Sequence, residues 1–599
     1  DMTKKKYIVI SVVIILISII ALVGASYALL TMTIEGDKEI TLTAGILKVD
    51  FSEGDNISIE NSAPMSDKEG LQTTPYTFTV TNTGNINAYY HVSLEEDSNN
   101  TLSNSNLKMK ITGNNGYDSG VIRVSDYGIG SFEIIGEDVL EPSDTVTYTL
   151  YMWLDEDAGN EAQGTIYQSK IVVESFDREG NSPNAPMLDE GMIPVSYDGS
   201  NWVKADRTNI NNSWYNYNDL MWANAVTVSE STRSTYKNAS VGTTISMDDI
   251  ETMWVWIPRY SYTIGSEDGT NYYGKQGTYL DTTPTLSLPG EIDVKFVSEN
   301  VKNRGSAKYI VSEGISDDSW YTPDAFTFGD EELRGIWVGK FETSSSNPSV
   351  TAGGGNTTEL DAMIKPNVAS WRDINVSNAF NVSLKMNNNG NRYGIENTTD
   401  THMMKNSEWG VVAYLSQSKY GKLGNTNFTG ANKEIYQNKS DLFITGCSYG
   451  SPSNGNTDYG CQYQYNIEIN GTGASTTGNI YGIYDMSGGA HEYTMANYND
   501  LIADSGFSSM PDSKYYDKYT TDNMLTACSG NECLSHALYE TNNWYSDYRG
   551  LVREQYPWQL RGGIYNYSIK AGIFNFEISN SAVGGNSRND AFRLVATIR

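Results

Sequence analysis

The 599-residue chain carries 41 Lys and Arg against 73 Asp and Glu, a formal charge of −32. That balance argues against nucleic-acid binding, which needs Lys and Arg clustered against the phosphates. Charged residues are only 19 % of the chain, so Asn, Ser, Thr, Gly and 42 Tyr must supply much of the polar surface. Rigid Tyr contact area beside adaptable amides suits a recognition surface, and it equally suits an ordinary extracellular β-rich protein. The length allows roughly three or four domains.

Lys4, Lys5 and Lys6 precede an uncharged run from Tyr7 to Ile34. Its apolar part, Tyr7 to Leu30, would make a helix of about 36 Å, long enough to cross a bilayer. The lysines predict an N-terminus in the cytoplasm and the rest of the chain outside. Ser26-Tyr27-Ala28 is a small-x-small cleavage candidate. Residues 1–30 are therefore either a transmembrane anchor or a signal peptide cut near Ala28. The stretch ASYALLTMTIEGDKEITLTAGILKVDF resembles the start of camelysin/TasA-like surface and biofilm-matrix proteins of Gram-positive bacteria. This resemblance implies export and raises a fibre-forming matrix protein as one alternative.

Residues 31–176 read as strands. Tyr76, Phe78 and Val80 alternate with threonines, and Tyr90, Val92 and Leu94 with polar residues. Val146, Tyr148, Leu150, Met152 and Leu154 form the longest alternation. Period two with one apolar face predicts an antiparallel, Ig-like sandwich, with turns at residues 83–85 and 141–144. Residues 177–190 are a linker rich in Pro, Gly and Asn. MIPVSYDGSNWVKAD then predicts a hairpin turning at Asp198-Gly199. Residues 191–332 concentrate aromatics, including Trp214, Tyr215, Tyr217, Trp222, Trp254 and Trp256. They are expected to pack onto the following domain rather than to form a sugar platform or a separate fold.

From residue 333 to 599 several motifs follow one another. They are Trp337-Val338-Gly339-Lys340-Phe341-Glu342, the segment from Pro366 through Trp371 to Asp373, and Asn406-Ser407-Glu408-Trp409. Then come YGIYDMSGGAHEYTMANY (481–498), Arg561-Gly562-Gly563 and the closing Phe592-Arg593. This series resembles the formylglycine-generating-enzyme/sulfatase-modifying superfamily, whose core reads GLYDMSGNVWEWT and whose fold is C-type-lectin-like. The fold class expected is thus multidomain: a helix, an all-β sandwich and an α+β lectin-like domain. The resemblance implies a structural core of Trp337, Gly339, Trp371, Glu408, Trp409, Gly482, Asp485, Met486, Ser487, Gly488, Glu492, Arg561, Gly562, Gly563, Phe592 and Arg593. It implies that Glu492 anchors loops from inside, while Asp485 and Ser487 hold together the polar knuckle of residues 485–489. Helices are expected at 375–386 and 406–418, the second capped by Asn406 or Ser407, with Trp409, Val412 and Ala413 inward.

Four cysteines in an exported chain make disulfides plausible, with three connectivities possible. Pairing Cys447 with Cys461 and Cys528 with Cys533 is the economical choice, because each closes a short loop. No histidine lies near the first pair and no paired CxxC spacing exists, so no metal is expected there. Catalytic members of the superfamily use a copper-binding Cys-x4-Cys pair between the RGG strand and the terminal FR. Cys528 and Cys533 have that spacing, but they lie upstream, and 564–591 contains no cysteine. Oxidoreductase chemistry is therefore the second alternative, and no catalytic residue is assigned. His491 stands before Glu492 where the family has Trp, and is expected to be buried and hydrogen-bonded. No cofactor is expected. Structural calcium is what lectin-like folds admit, although no loop here has EF-hand spacing.

The segment between Gly563 and Phe592 is the exposed ligand face in the lectin-like fold. Tyr565, Asn566, Tyr567, Ile569, Asn575, Glu577, Asn580, Asn586, Arg588, Asn589 and Asp590 mix aromatic, amide and charged types, as a paratope does. The RGG…FR frame also resembles the C-terminal variable region of proteins diversified by retroelements. The expected partner is a protein, glycan or phage ligand, with membrane contact through the N-terminal helix. Arg599 follows the closing strand directly, so attachment is expected at the N-terminal end.

Overall fold

The computed structural model describes residues 32–35, 47–51, 57–60, 63–82, 88–97, 99–126, 131–140, 144–162, 164–176, 185–209, 212–268, 271–276, 279–280, 282–297, 320–347, 353–452, 459–523 and 533–598. The expected leader or anchor at 1–30, the turns at 83–85 and 141–143, and Cys528 lie outside them. The chain is mostly β and divides into two compact units, Asp1–Asn181 and Ser182–Arg599, so the division falls inside the 177–190 segment. Among the described residues no helix is long and apolar enough to cross a membrane.

The first unit holds two five-stranded sheets. One runs Met32–Glu35, Ile166–Phe176, Ala88–Glu96, Ser131–Leu140, with Ile57–Glu60 also on Ile166–Phe176. The other runs Leu47–Phe51, Tyr76–Asn82, Thr145–Leu154, Leu107–Gly113, Ile122–Arg123. Every pairing is antiparallel. The alternation works as the pattern requires: Phe78, Val80, Tyr90, Val92, Leu94, Val146, Tyr148, Leu150, Met152 and Leu154 all enter one core. On Tyr76–Asn82 the intervening threonines stay half-buried, and Thr79 meets Thr147 across the strands at 3.3 Å.

In the second unit a seven-stranded sheet runs Trp202–Lys204, Ile193–Tyr197, Asn224–Val228, Ile250–Pro258, Gly335–Gly339, Leu594–Thr597, Asp400–Met403. Strands from 193–258 thus sit in one sheet with the last strand of the chain. The hairpin turns at Asp198-Gly199: Asp198 Oδ1 accepts the Ser200 and Asn201 N–H groups, and Gly199 takes φ +97°. Trp254 and Trp256 are wholly buried, the latter packed on Trp337 at 5.3 Å. A five-stranded sheet runs Asp517–Tyr519, His491–Tyr498, Trp558–Gly562, Gly572–Glu577, and Asp590–Phe592 lies parallel to His491–Tyr498.

Among the described residues this unit has three α-helices of nine residues or more, Glu230–Asn238 and the two that the sequence predicts. Val376–Leu384 is capped by Asn375, whose side chain accepts the Asn378 N–H. Asn406–Ser416 corrects the expected cap: its N-cap is Lys405, and Asn406 and Ser407 are already helical. Glu408 accepts the Lys405 N–H at 2.7 Å, and Asp517 reaches in from another segment to accept the Ser407 N–H at 2.6 Å. A distant carboxylate does what a local side chain was expected to do. Trp409, Val412 and Ala413 are buried, but so is every other residue of this helix, so it has no solvent face.

The deepest charges join the motifs. Arg593 donates through Nε to Glu492 at 2.9 Å, through Nη1 to the Gly339 carbonyl at 2.8 Å and through Nη2 to the Tyr484 carbonyl at 3.0 Å. Its second bond to Glu492 makes that pair bidentate. Lys340 donates to Asn224 Oδ1 at 2.9 Å and to the Ile480 and Gly482 carbonyls at 2.7 and 2.8 Å. Asp485 accepts Asn438 Nδ2 at 2.9 Å and the Gly446 N–H at 2.9 Å. Ser487 serves the knuckle through its carbonyl, which accepts the Asn438 N–H at 2.8 Å, and not through its hydroxyl. Removing one partner of a buried ion pair leaves the other charge stranded, at a cost of about 3–5 kcal/mol. Arg593→Met is therefore expected to destabilise the C-terminal unit by that amount in denaturant unfolding, with part recovered in the Glu492→Gln/Arg593→Met double variant. A loss under about 1 kcal/mol would contradict this account.

Candidate functional face

Gly562 and Gly563 take φ +78° and +73°, which an L side chain resists, and so end the strand Trp558–Gly562 in a tight turn. The chain then passes outward. The Tyr565 N–H donates to the Gly489 carbonyl at 2.9 Å, and Gln437 Nε2 donates to the Tyr565 carbonyl at 3.2 Å. A single 3-10 turn, Ser568–Lys570, returns it to the strand Gly572–Glu577.

Of the eleven residues assigned to the face, Asn566, Ile569, Asn580, Asn586, Arg588 and Asn589 are exposed, and Tyr565 and Tyr567 are half-buried. Asn575, Glu577 and Asp590 are buried, which corrects their placement on the surface. The strand Gly572–Glu577 is buried along its whole length, so both its inward and outward positions are interior. Asn575 spends its amide on the Lys570 carbonyl at 2.8 Å, fixing the return of the loop.

The two buried carboxylates converge on His491. Nδ1 lies 3.2 Å from Asp590 Oδ1, and Nε2 lies 3.3 Å from Glu577 Oε2. Burial alone would lower the imidazole's pKa, but hydrogen bonds to Asp590 and Glu577 override it and hold the ring charged, up to about 9. The other oxygen of Glu577 accepts the Tyr567 hydroxyl at 2.7 Å, and the Tyr567 ring stands edge-on to the imidazole at 5.0 Å. A chain of contacts thus runs from Asp590 through His491 and Glu577 to a ring of the face. With carboxylates on both nitrogens the imidazolium is a clasp rather than a base. The expected buried histidine is there, and its two acids are the residues first read as ligand contacts.

The face is wider than the sequence indicated. Tyr565 packs edge-to-face on Phe443 at 5.1 Å and on Tyr459 at 5.2 Å, and Tyr459 is 46 % exposed. Leu442, next to Phe443, is 69 % exposed. The Arg372 guanidinium lies 3.9 Å over the Phe443 ring and donates to the Arg588 carbonyl at 2.6 Å. Asn586 donates to Asp373 Oδ1 at 2.8 Å. The Cys447–Cys461 disulfide, with Cα atoms 5.1 Å apart, closes the segment that carries Tyr459. Cys533 is disulfide-bonded as well, its partner lying outside the described residues. The cysteine pair was the available sign for Tyr459, because it ties the neighbouring Cys461 to Cys447.

No family model and no curated protein matches this chain. Among solved structures it is similar to the CBM22-1 xylan-binding domain of Xyn10C from Paenibacillus barcinonensis, at 14 % identity over 25 % of this chain and 94 % of that one, TM-score 0.10. The CBM22-1–CBM22-2 tandem of the same protein matches at 10 % identity over 40 % of this chain and 71 % of that one, TM-score 0.11. Likenesses this slight carry no argument about fold or ligand.

The clasp has a pH signature. A histidine whose folded pKa is raised stabilises the fold fully below its unfolded value near 6.5, and that stabilisation is lost as pH rises through about 9. The shift corresponds to about 3 kcal/mol. His491→Gln is expected to cost most of this at pH 6, with the gap to the parent protein closing by about pH 10. Parallel unfolding curves across that range would refute the clasp.

Proposed function

We propose that this is an extracellular ligand-binding protein whose C-terminal unit, joined to the β-sandwich through the 177–190 linker, is a non-catalytic binding head. One observation carries the reading. Amides, an arginine and aromatic rings are displayed on short loops, while the acids of the same segment turn inward to bind His491. Tyr, Asn and Arg held by a rigid frame are the usual chemistry of adaptable recognition. The motif series supports a lectin-like head of the formylglycine-generating-enzyme type. The frame from Arg561-Gly562-Gly563 to Phe592-Arg593 supports a face that varies while its supports stay constant. The partner is a protein, glycan or phage ligand. Cys447–Cys461 supports an oxidising, extracellular setting, reached by export through the N-terminal segment. The absence of cysteine between Gly563 and Phe592 argues against the superfamily's copper-dependent oxidation.

The test is a glycan and surface-protein array probed with the whole protein and with a variant in which the exposed Asn566, Ile569, Arg588 and Asn589 are alanine. The variant is expected to keep its melting temperature and to lose at least about tenfold in affinity, or about 1.4 kcal/mol, for any ligand captured. Equal binding by the two proteins would move the site off this face.

A further inference from the structure

The hairpin Thr327–Phe328/Glu331–Glu332 and residues 512–517 wall a second concavity of about 620 Å³, which shares no residue with the 564–591 face. That volume is within the roughly 300–1,000 Å³ of small-molecule sites. Lys405 and Lys514 both line it. Lys405 is 6 % exposed, yet its ammonium donates no hydrogen bond: the closest carboxylate oxygen, Glu408 Oε1, is 3.8 Å away. An ammonium has three donors, and no protein acceptor takes up those that Lys405 turns toward the cleft. The surrounding acids are already engaged. Glu408 takes His402 Nε2 at 2.9 Å and the Lys405 backbone N–H at 2.7 Å. Asp400 takes His402 Nδ1 at 2.9 Å and the Tyr515 hydroxyl at 2.8 Å. Asp517 takes the Ser407 N–H at 2.6 Å and its hydroxyl at 3.2 Å. Lys405 and Lys514 lie 5.6 and 5.1 Å from the centroid of the Phe328 ring, which His402 stacks against at 4.9 Å. The rim is of the opposite sign, with Asp330, Glu331 and Asp512 exposed. Asp324 and Asp517, half-buried like Lys514, line it too, so its one buried charge is Lys405 and its most exposed charges are anionic.

We infer that this cleft is a binding site for a small zwitterion, its carboxylate against Lys405 and Lys514 and its ammonium facing Asp330 and Asp512. An anion alone would meet the acidic rim, and a cation alone would meet Lys405 and Lys514. A molecule with both ends satisfies the cleft and supplies the acceptors that Lys405 lacks.

Titration calorimetry of the whole protein tests this with three probes of equal chain length: 6-aminohexanoate, hexanoate and 1,6-diaminohexane. The zwitterion is expected to bind with a millimolar Kd, and each single-signed probe at least about tenfold more weakly. Lys405→Gln should lose at least about tenfold for 6-aminohexanoate. Because Lys405 is buried, two variants at less buried lining positions stand beside it. Lys514→Gln should weaken 6-aminohexanoate severalfold, and Asp330→Asn/Asp512→Asn should weaken 6-aminohexanoate but not hexanoate. No heat from 6-aminohexanoate at about 20 mM with folded protein, or unchanged binding in both of these variants, would overturn the assignment.

Discussion

The guanidinium of Arg593 is the point through which the C-terminal unit is tied. It sits on the last strand of the chain, and its donors reach Glu492 in the central motif, the Tyr484 carbonyl before the knuckle and the Gly339 carbonyl at the end of an early strand. Three segments separated by more than a hundred residues thus share one fully buried cation. A buried charge persists only when its partners are complete, so the pair demands that all three segments arrive in register. Glu342 and Asp485 crowd the same region. Burial and then the neighbouring Asp485 and Glu492 hold the Glu342 carboxyl well above the usual carboxylate range.

That arrangement separates support from display. The acids of this region are drawn inward: Glu492 to Arg593, and Glu577 and Asp590 to His491. What faces outward between Gly563 and Phe592 is mainly amide, aliphatic and cationic, on a protein of charge −32. Such side chains can be exchanged at little cost to the fold, because surface positions away from caps and buried networks change stability by only about 0.5 kcal/mol. Tyr567 is the exception, since its hydroxyl is tied to Glu577 and its ring leans on His491.

The sandwich was legible because its strands each bury one face, and a period of two states this in the residues themselves. Val146 to Leu154 reads directly as the alternation found in the fold. The hairpin at Asp198-Gly199 and the Asn375 cap were legible for a similar reason: each is a local hydrogen-bonding solution. What the residues did not reveal was non-local. Asn575 and Glu577 look like displayed polar residues, because a strand interior on both faces has no alternation to mark it. The cap of Asn406–Ser416 is completed by Asp517, more than a hundred residues away. Lys340 is held by an amide and two carbonyls from separate segments, and no spacing announces that. Tyr459 joins the face only because the chain brings it, with Phe443, against Tyr565.

The central claim is that frame and face are physically distinct. A saturation library displayed on cells and scored for protease resistance measures this position by position. The account predicts that Asn566, Ile569, Asn586, Arg588 and Asn589 accept most residue types, while His491, Glu492, Glu577, Asp590 and Arg593 accept almost none. Face positions as intolerant as the frame would contradict it and would make 564–591 part of the core instead of a surface built to bind.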